Sequence, residues 1–249
     1  MASILDRYGI KEVADVVFYE INNDGAPGAP VLFLDTLKVS TIEQTAENTS
    51  ARGGKGNPEL IMWDYGKEIT VSLEDALFSA KSMALMYGVN PTDETDFDQS
   101  LNSLKKTVSV KQIENGKVST QAGVITVPEG ATFYDDNGKT VSGATVSDPK
   151  GAAYCTFDLT IEGATQITIS SAKFPGTYYI TGDTYARSET TGKDEFFQFI
   201  IPKAKMQSEV TLTMEAEGDP STFNMSLKVL RPASGDMMKL VKYSLPEGE

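Results

Sequence analysis

The chain has 249 residues, 40% hydrophobic and 23% charged, which suits a folded protein with a sizeable core and excludes wholesale disorder. A net charge of −13 argues against nucleic-acid binding by phosphate neutralisation, which needs clustered Lys and Arg. The absence of histidine removes the commonest general base and the commonest zinc ligand, and one cysteine, Cys155, cannot make an internal disulfide.

Two extended segments open the chain, VADVVFYEI and PVLFLDTLKVS, separated by the turn-rich NNDGAPGA. The polar stretch Thr41 to Asn57 reads as a long loop with almost nothing apolar to anchor it. LIMWDYGKEITVSL follows, an apolar run interrupted by Gly66 and therefore expected to be a bent or bulged strand. A helix is expected over 73–87. Ser72 and Asp75 give a capping pattern at its start, and Leu73, Ala76, Leu77, Ala80, Met83, Ala84 and Tyr87 recur at three- and four-residue steps. Gly88 suits the position just past its end, and Pro91 blocks resumption. The Ala- and Met-rich face reads as one that packs on a sheet.

Beyond the helix, Thr92 to Asp98 carries alternate acidic side chains. These could hold a cation, but the run lacks the glycine and the terminal glutamate of an EF-hand, and a solvated acidic loop is the plainer reading. From Lys105 onward the signal is almost wholly β, with hairpin signals at Asn115-Gly116 and Asn137-Gly138. Cys155 lies in the alternating run AYCTFDLTI and reads as a packed core residue. EVTLTME sets Val210, Leu212 and Met214 against Glu209, Thr211, Thr213 and Glu215. TFNMSLKVL sets Phe223, Met225, Leu227 and Val229 against Asn224, Ser226 and Lys228. Together they read as a long amphipathic hairpin, wet on one face. Residues 119–176, rich in turns, are expected to be an inserted β-rich subdomain in a core made of 1–118 and 177–249.

No stretch carries a recognisable catalytic or cofactor set. In ARGGKGNPE the lysine lies between glycines and Asn57-Pro58 follows, so the phosphate-binding loop pattern fails. The glycines also precede a strand, which excludes a dinucleotide loop. Arg52 and Lys55 are instead expected to tip a connector that meets carboxylates of a neighbouring chain. Asp64, Glu68, Glu74 and Asp75 are carboxylates close enough in sequence for glycosidase chemistry, but an acidic chain offers such pairs by chance. The acidity is concentrated in residues 1–103, with a net charge of −10 against −3 for the remainder. The N-terminus shows no secretory pattern and no stretch is long enough to span a bilayer, so synthesis in the cytoplasm is expected.

Three stretches, GGKGNPELIMWDYGKEITVSLEDALFS, GTYYITGDTYARSETTGKDEFFQFIIPKAKM and EAEGDPSTFNMSLKVLRPASGDMMKLVKY, together resemble tail tube proteins of long-tailed bacteriophages. The resemblance implies a mainly β protomer, sandwich- or barrel-like, with one flanking helix and no enzymatic activity, cofactor or metal. It implies six-membered rings stacked into a tube in the virion tail, made in the host bacterium and joined to other tail proteins. DNA would pass an acidic lumen without specific binding. On this reading Glu209, Thr211, Thr213 and Glu215 face the lumen, while Val210, Leu212, Met214, Phe223, Met225 and Leu227 face the protomer core. The alternatives are another virion component, such as a baseplate, tail-terminator or capsid-decorating protein, and a carbohydrate-binding β module. Residues 90–175 match nothing in the resemblance.

Overall fold

The computed structural model describes residues 7–89, 97–212 and 222–244. The chain divides into two compact units, Met1–Asp96 with Ile167–Glu249, and Phe97–Gln166. Both are built from antiparallel strands, so the mainly β expectation holds.

The larger unit contains β1 (Tyr8–Ile10), β2 (Asp15–Ile21), β3 (Pro27–Leu34), β4 (Leu37–Arg52), β5 (Glu59–Asp75) and helix α1 (Ala80–Met86). The smaller unit contains β6 (Phe97–Ser109), a 3-10 turn at Val110–Gln112, β7 (Lys117–Thr120), β8 (Gly123–Thr126), β9 (Thr132–Tyr134) and β10 (Tyr154–Ile167). The chain then returns to the larger unit with β11 (Thr177–Ser188), β12 (Asp194–Met206), β13 (Phe223–Val229) and β14 (Lys239–Tyr243).

In the larger unit the sheet runs β3-β2-β11-β12-β13-β5-β4, with β1 added on β11 and β14 on β12. It is open, with β3 and β4 at its edges, and the described strands close no barrel within one protomer. Period-two alternation builds its core. Val16 and Phe18 of β2, Val71 and Leu73 of β5, Ile180 of β11, Ile201 of β12 and Met225 and Leu227 of β13 are all buried on one side. Leu85 and Met86 of α1 complete that cluster, so the helix is a cover for the core.

Two expectations about local structure are corrected here. Residues 73–75 are strand, not helix: Leu73 pairs with Met225 on one side and Ser40 on the other, and is buried. Asp75 ends the strand, its carboxylate accepting from Thr36 Oγ1 at 2.5 Å and from the Leu77 N–H at 3.3 Å. The helix starts only at Ala80: Ser79 Oγ accepts from the Ser82 N–H, and Ser82 Oγ in turn accepts from the Ser79 N–H. A capping pattern of hydroxyls seven residues later, at Ser79 and Ser82, therefore outcompeted the one at Ser72. Likewise, Thr41 to Arg52 is strand. β4 pairs with β5 from Leu37 to Arg52, and the resulting hairpin is the long one of the fold.

The GGKGN stretch is the tip of that hairpin. Gly54, Gly56 and Asn57 adopt positive φ, and the Asn57 N–H donates to the Gly54 carbonyl at 3.1 Å. Gly66 sits at φ +62, where the β4–β5 register shifts between Thr45 and Glu47, so the expected bulge is present.

The smaller unit has a three-stranded sheet, β6-β10-β9, and the hairpin β7–β8. Val108, Val118, Val127, Phe133, Cys155 and Phe157 form its separate core. The division falls earlier than the 119–176 expected from turn content. The reason is β6, which precedes residue 119 and pairs with β10.

One glycine closes the helix under a tight constraint. Gly88 has φ +75, and a Cβ there would lie 2.3 Å from the Phe174 carbonyl carbon. Gly88→Ala is expected to cost about 2 kcal/mol or more, combining left-handed strain with a backbone clash. Urea unfolding followed by circular dichroism reads this out, and an unchanged midpoint would mean the Phe174 segment yields freely.

Candidate functional site

The groups that chemistry would need are dispersed or buried. Among the described residues no cluster of three or more His, Cys, Asp or Glu could hold a metal ion. Residues 92–96 of the acidic run lie outside the described residues, and Asp98 falls in β6. The Cys155 thiol is fully buried, and burial pushes its pKa up, away from the thiolate. Of the β5 carboxylates, Glu68 bonds Lys228 at 2.6 Å, Asp75 is buried against Thr36, and Asp64 lies on the exposed distal part of the strand.

What the fold does present is a set of surfaces, and all three derive from the length of β5. Its residues Thr70 to Asp75 pair with β13 and alternate between buried and open positions. Residues Glu59 to Glu68 pair with β4 alone and are exposed throughout. This distal ribbon is a two-stranded arm that outruns its own sheet. Leu60, Ile61, Met62, Trp63 and Tyr65 are each more than half exposed on it. Patches of this kind mark interaction surfaces rather than solvated ones.

Arg52 and Lys55 lie at the far end of the arm. Arg52 pairs with Glu59 across the ribbon at 3.2 Å, which ties the two strands together at the last register position. Lys55 occupies the tip, exposed. The sequence reading assigned the long hairpin elsewhere and read the LIMW run only as a bent or bulged strand; exposure on both faces is the property that hydrophobicity alone does not reveal.

The second surface is the face of β4, β5 and β13 opposite the core. Cross-strand registers align Val39, Glu74 and Asn224, then Thr41, Ser72 and Ser226, then Glu43, Thr70 and Lys228. Apart from Val39 the face is polar, with Glu43, Glu68 and Glu74 against one cation, Lys228.

The third surface lies where β5 ends. Val210, Thr211 and Leu212 line a shallow cleft with Met83, Met86, Tyr87 and Phe223. Phe78 packs on Phe223 with ring centroids 4.6 Å apart, yet stays 58% exposed, and Leu77 beside it is 64% exposed. The expected helical face is corrected accordingly. Leu77 precedes the helix and points to solvent, while Leu85, absent from that face, is buried at 1%.

The residues expected to form the amphipathic hairpin divide. Phe223, Met225 and Leu227 are buried and Val210 packs at the core margin, whereas Leu212 is 40% exposed. Glu209 and Thr211 are exposed on a segment outside any strand, beside the helix. Thr213, Met214 and Glu215 lie outside the described residues. β13 pairs with β5 on one side and, over Leu227–Val229, with the end of β12 on the other.

A long exposed arm on an open sheet is a feature of a subunit, and the comparisons agree. The YomU/Tube protein family matches residues 8–241, spanning both units. The chain belongs to this family. A relative, the tail tube protein of Bacillus phage SPR, is 23% identical over 93% of this chain and 87% of its own length. The resemblance read from the three sequence stretches is borne out. In this YomU/Tube family member the arm and the cleft are thus surfaces of a structural protein of the phage tail tube type.

The corrected helix changes what substitutions should do. Leu85→Asp places a charge in the core and is expected to cost about 4 kcal/mol or more. Leu77→Asp should change protomer stability by less than about 0.5 kcal/mol, since it stays in water. Thermal unfolding of the two variants checks the order; equal losses would return Leu77 to the core face.

Proposed function

We propose that this protein is the tail tube subunit of a long-tailed bacteriophage. It assembles into six-membered rings that stack as a hollow tube in the virion tail, joins other tail proteins at the tube ends, and conducts DNA at ejection. The observation that carries this reading is the β4–β5 arm. Two strands run about ten residues beyond the sheet that anchors them, carrying large apolar side chains that stand exposed among the described residues. A protein acting alone gains nothing from such an arm and risks aggregation through it. A subunit buries it.

The polar face of β4, β5 and β13 is the proposed channel wall. DNA phosphates passing a bore repeatedly lined by Glu43, Glu68 and Glu74 meet repulsion, so the duplex slides without binding. The repulsion acts over about 8–10 Å at physiological salt, which suits a narrow pore. On this reading the wall lies on the strands themselves and not on Glu209 and Thr211, of which Thr211 lines the cleft beside the helix.

Negative-stain microscopy of the purified chain tests the assembly: rings or tubes are expected without nucleotide or metal, and a compact monomer at high concentration counts against it. Glu43→Lys tests the wall. The variant is expected to fold and assemble, because exposed strand charges shift stability by about 0.5 kcal/mol or less. Its tubes should retain more DNA than wild type, with the difference fading as salt rises. Unchanged retention in well-formed tubes would return the wall to the Glu209–Glu215 segment.

A further inference from the structure

β12 carries the run Phe196-Phe197-Gln198-Phe199-Ile200-Ile201, high in β propensity and free of charge and proline. Segments of that kind stack into cross-β fibrils when an edge is open to them. Asp194 and Glu195 stand before the run and Pro202 and Lys203 after it, the residue types that flank such strands as gatekeepers. β11 takes one edge of the run, from Tyr185 opposite Phe196 to Ile180 opposite Ile201. The other edge is covered from Phe196 to Ile200 by β14, and no other described strand pairs there.

A short edge strand frays unless side chains hold it. β14 is held on both faces. On one, the Tyr243 ring stacks on Phe196 with centroids 5.2 Å apart, and its hydroxyl donates to Asp183 Oδ1 at 3.2 Å. On the other, the Lys242 ammonium pairs with Glu195 of β12 and donates to the Tyr8 hydroxyl of β1, whose ring lies 5.4 Å from Phe197. Lys242 and Glu195 form the least exposed ion pair among the described residues, at 31% and 25%, so water and salt screen it less than the others. β1 pairs with β11 and β14 with β12, and Lys242 ties one terminal strand to the other across them.

We infer that β14 is a protective strap over the Phe196–Ile201 run, latched to β1 through Lys242 so that the two terminal strands hold or release together. With the strap in place, the outermost strand at this edge is short and carries Lys239 and Lys242, a poor template for further pairing. With it gone, the edge on offer is an uncharged aromatic strand, and fibril growth has its template.

Hydrogen exchange and thioflavin T binding by the full chain test latch and strap. Tyr8→Ala and Lys242→Met each remove one side of the latch. Either should speed amide exchange in both β1 and β14, while the amides of Val16, Val71 and Leu227 in the core stay protected. Loosening of β1 alone by Tyr8→Ala would overturn the latch. Leu240→Pro with Val241→Pro opens the strap: successive N–H groups point to opposite edges of a strand, so one of the two faces β12. Neither side chain is buried. This variant should form fibrils that bind thioflavin T and give the cross-β reflection at about 4.7–4.8 Å, whereas the wild-type protein should not. Adding Gln198→Lys leaves Asp183 a hydrogen-bond donor and puts a charge into the run, and should abolish the fibrils. A proline variant that exposes Phe196–Ile200 to exchange without gaining thioflavin T signal would overturn the strap, as would fibrils that persist with Gln198→Lys. Loss of core protection in the proline variant would overturn it too, since β14 would then be required for the fold itself.

Discussion

The fold depends on the unequal length of the strands that flank β5. Over Thr70–Asp75 the strand has a neighbour on each side, β13 and β4, and one face packed on the core. Beyond Ile69 it keeps β4 alone. Backbone pairing with β4 satisfies one edge of the strand, and among the described residues no strand pairs with the other edge. The arm is thus held in shape by its hydrogen bonds and its cross-strand pairs, with a bulge at Gly66 setting its twist where it leaves the sheet. A two-stranded ribbon is marginal by itself in water, which makes an external partner part of its stability.

This same constraint explains what could be read in the sequence. Elements packed on the core were legible, because burial on one side imposes alternation: Val16 and Phe18 in β2, Phe223, Met225 and Leu227 in β13. Turns were legible where a residue type is forced by backbone geometry, as at Asn115-Gly116, where both residues have positive φ. The bulge at Gly66 was legible for the same reason. The arm was not. Thr41 to Arg52 has no buried face, so no apolar period marks it as a strand, and its polarity resembles a loop. Its partner run from Leu60 to Tyr65 looks like core because it is apolar, and sequence does not say whether the apolar surface is buried within one chain or between chains.

The misplaced helix start has a related cause. Leu73, Ala76 and Leu77 fit a helical period by accident, because a strand residue, a turn residue and an exposed loop residue happened to be spaced like one face. What decides between the alternatives is non-local. Leu73 lies between β4 and β13, partners that stand 33 residues before it and 152 after it in the chain. Local capping at Ser72 competes with two ladders of backbone hydrogen bonds and a buried side chain, and loses. At Ser79 no strand competes, and the cap forms.

Carrying the arm, the core face and the polar face on one continuous strand couples the exposed surfaces of the protein to its core. β5 contributes to the polar face through Glu68, Thr70, Ser72 and Glu74, to the core through Val71 and Leu73, and to the exposed arm through Leu60 to Tyr65. A shift of one residue in its pairing would therefore exchange core and polar-face side chains along the whole proximal half. The core opposes that shift, since Val71 and Leu73 would leave it for water. The register fixed by burial in the protomer thus fixes which side chains the arm presents to a neighbour, so the geometry of the assembly is decided within the single chain before a second copy arrives.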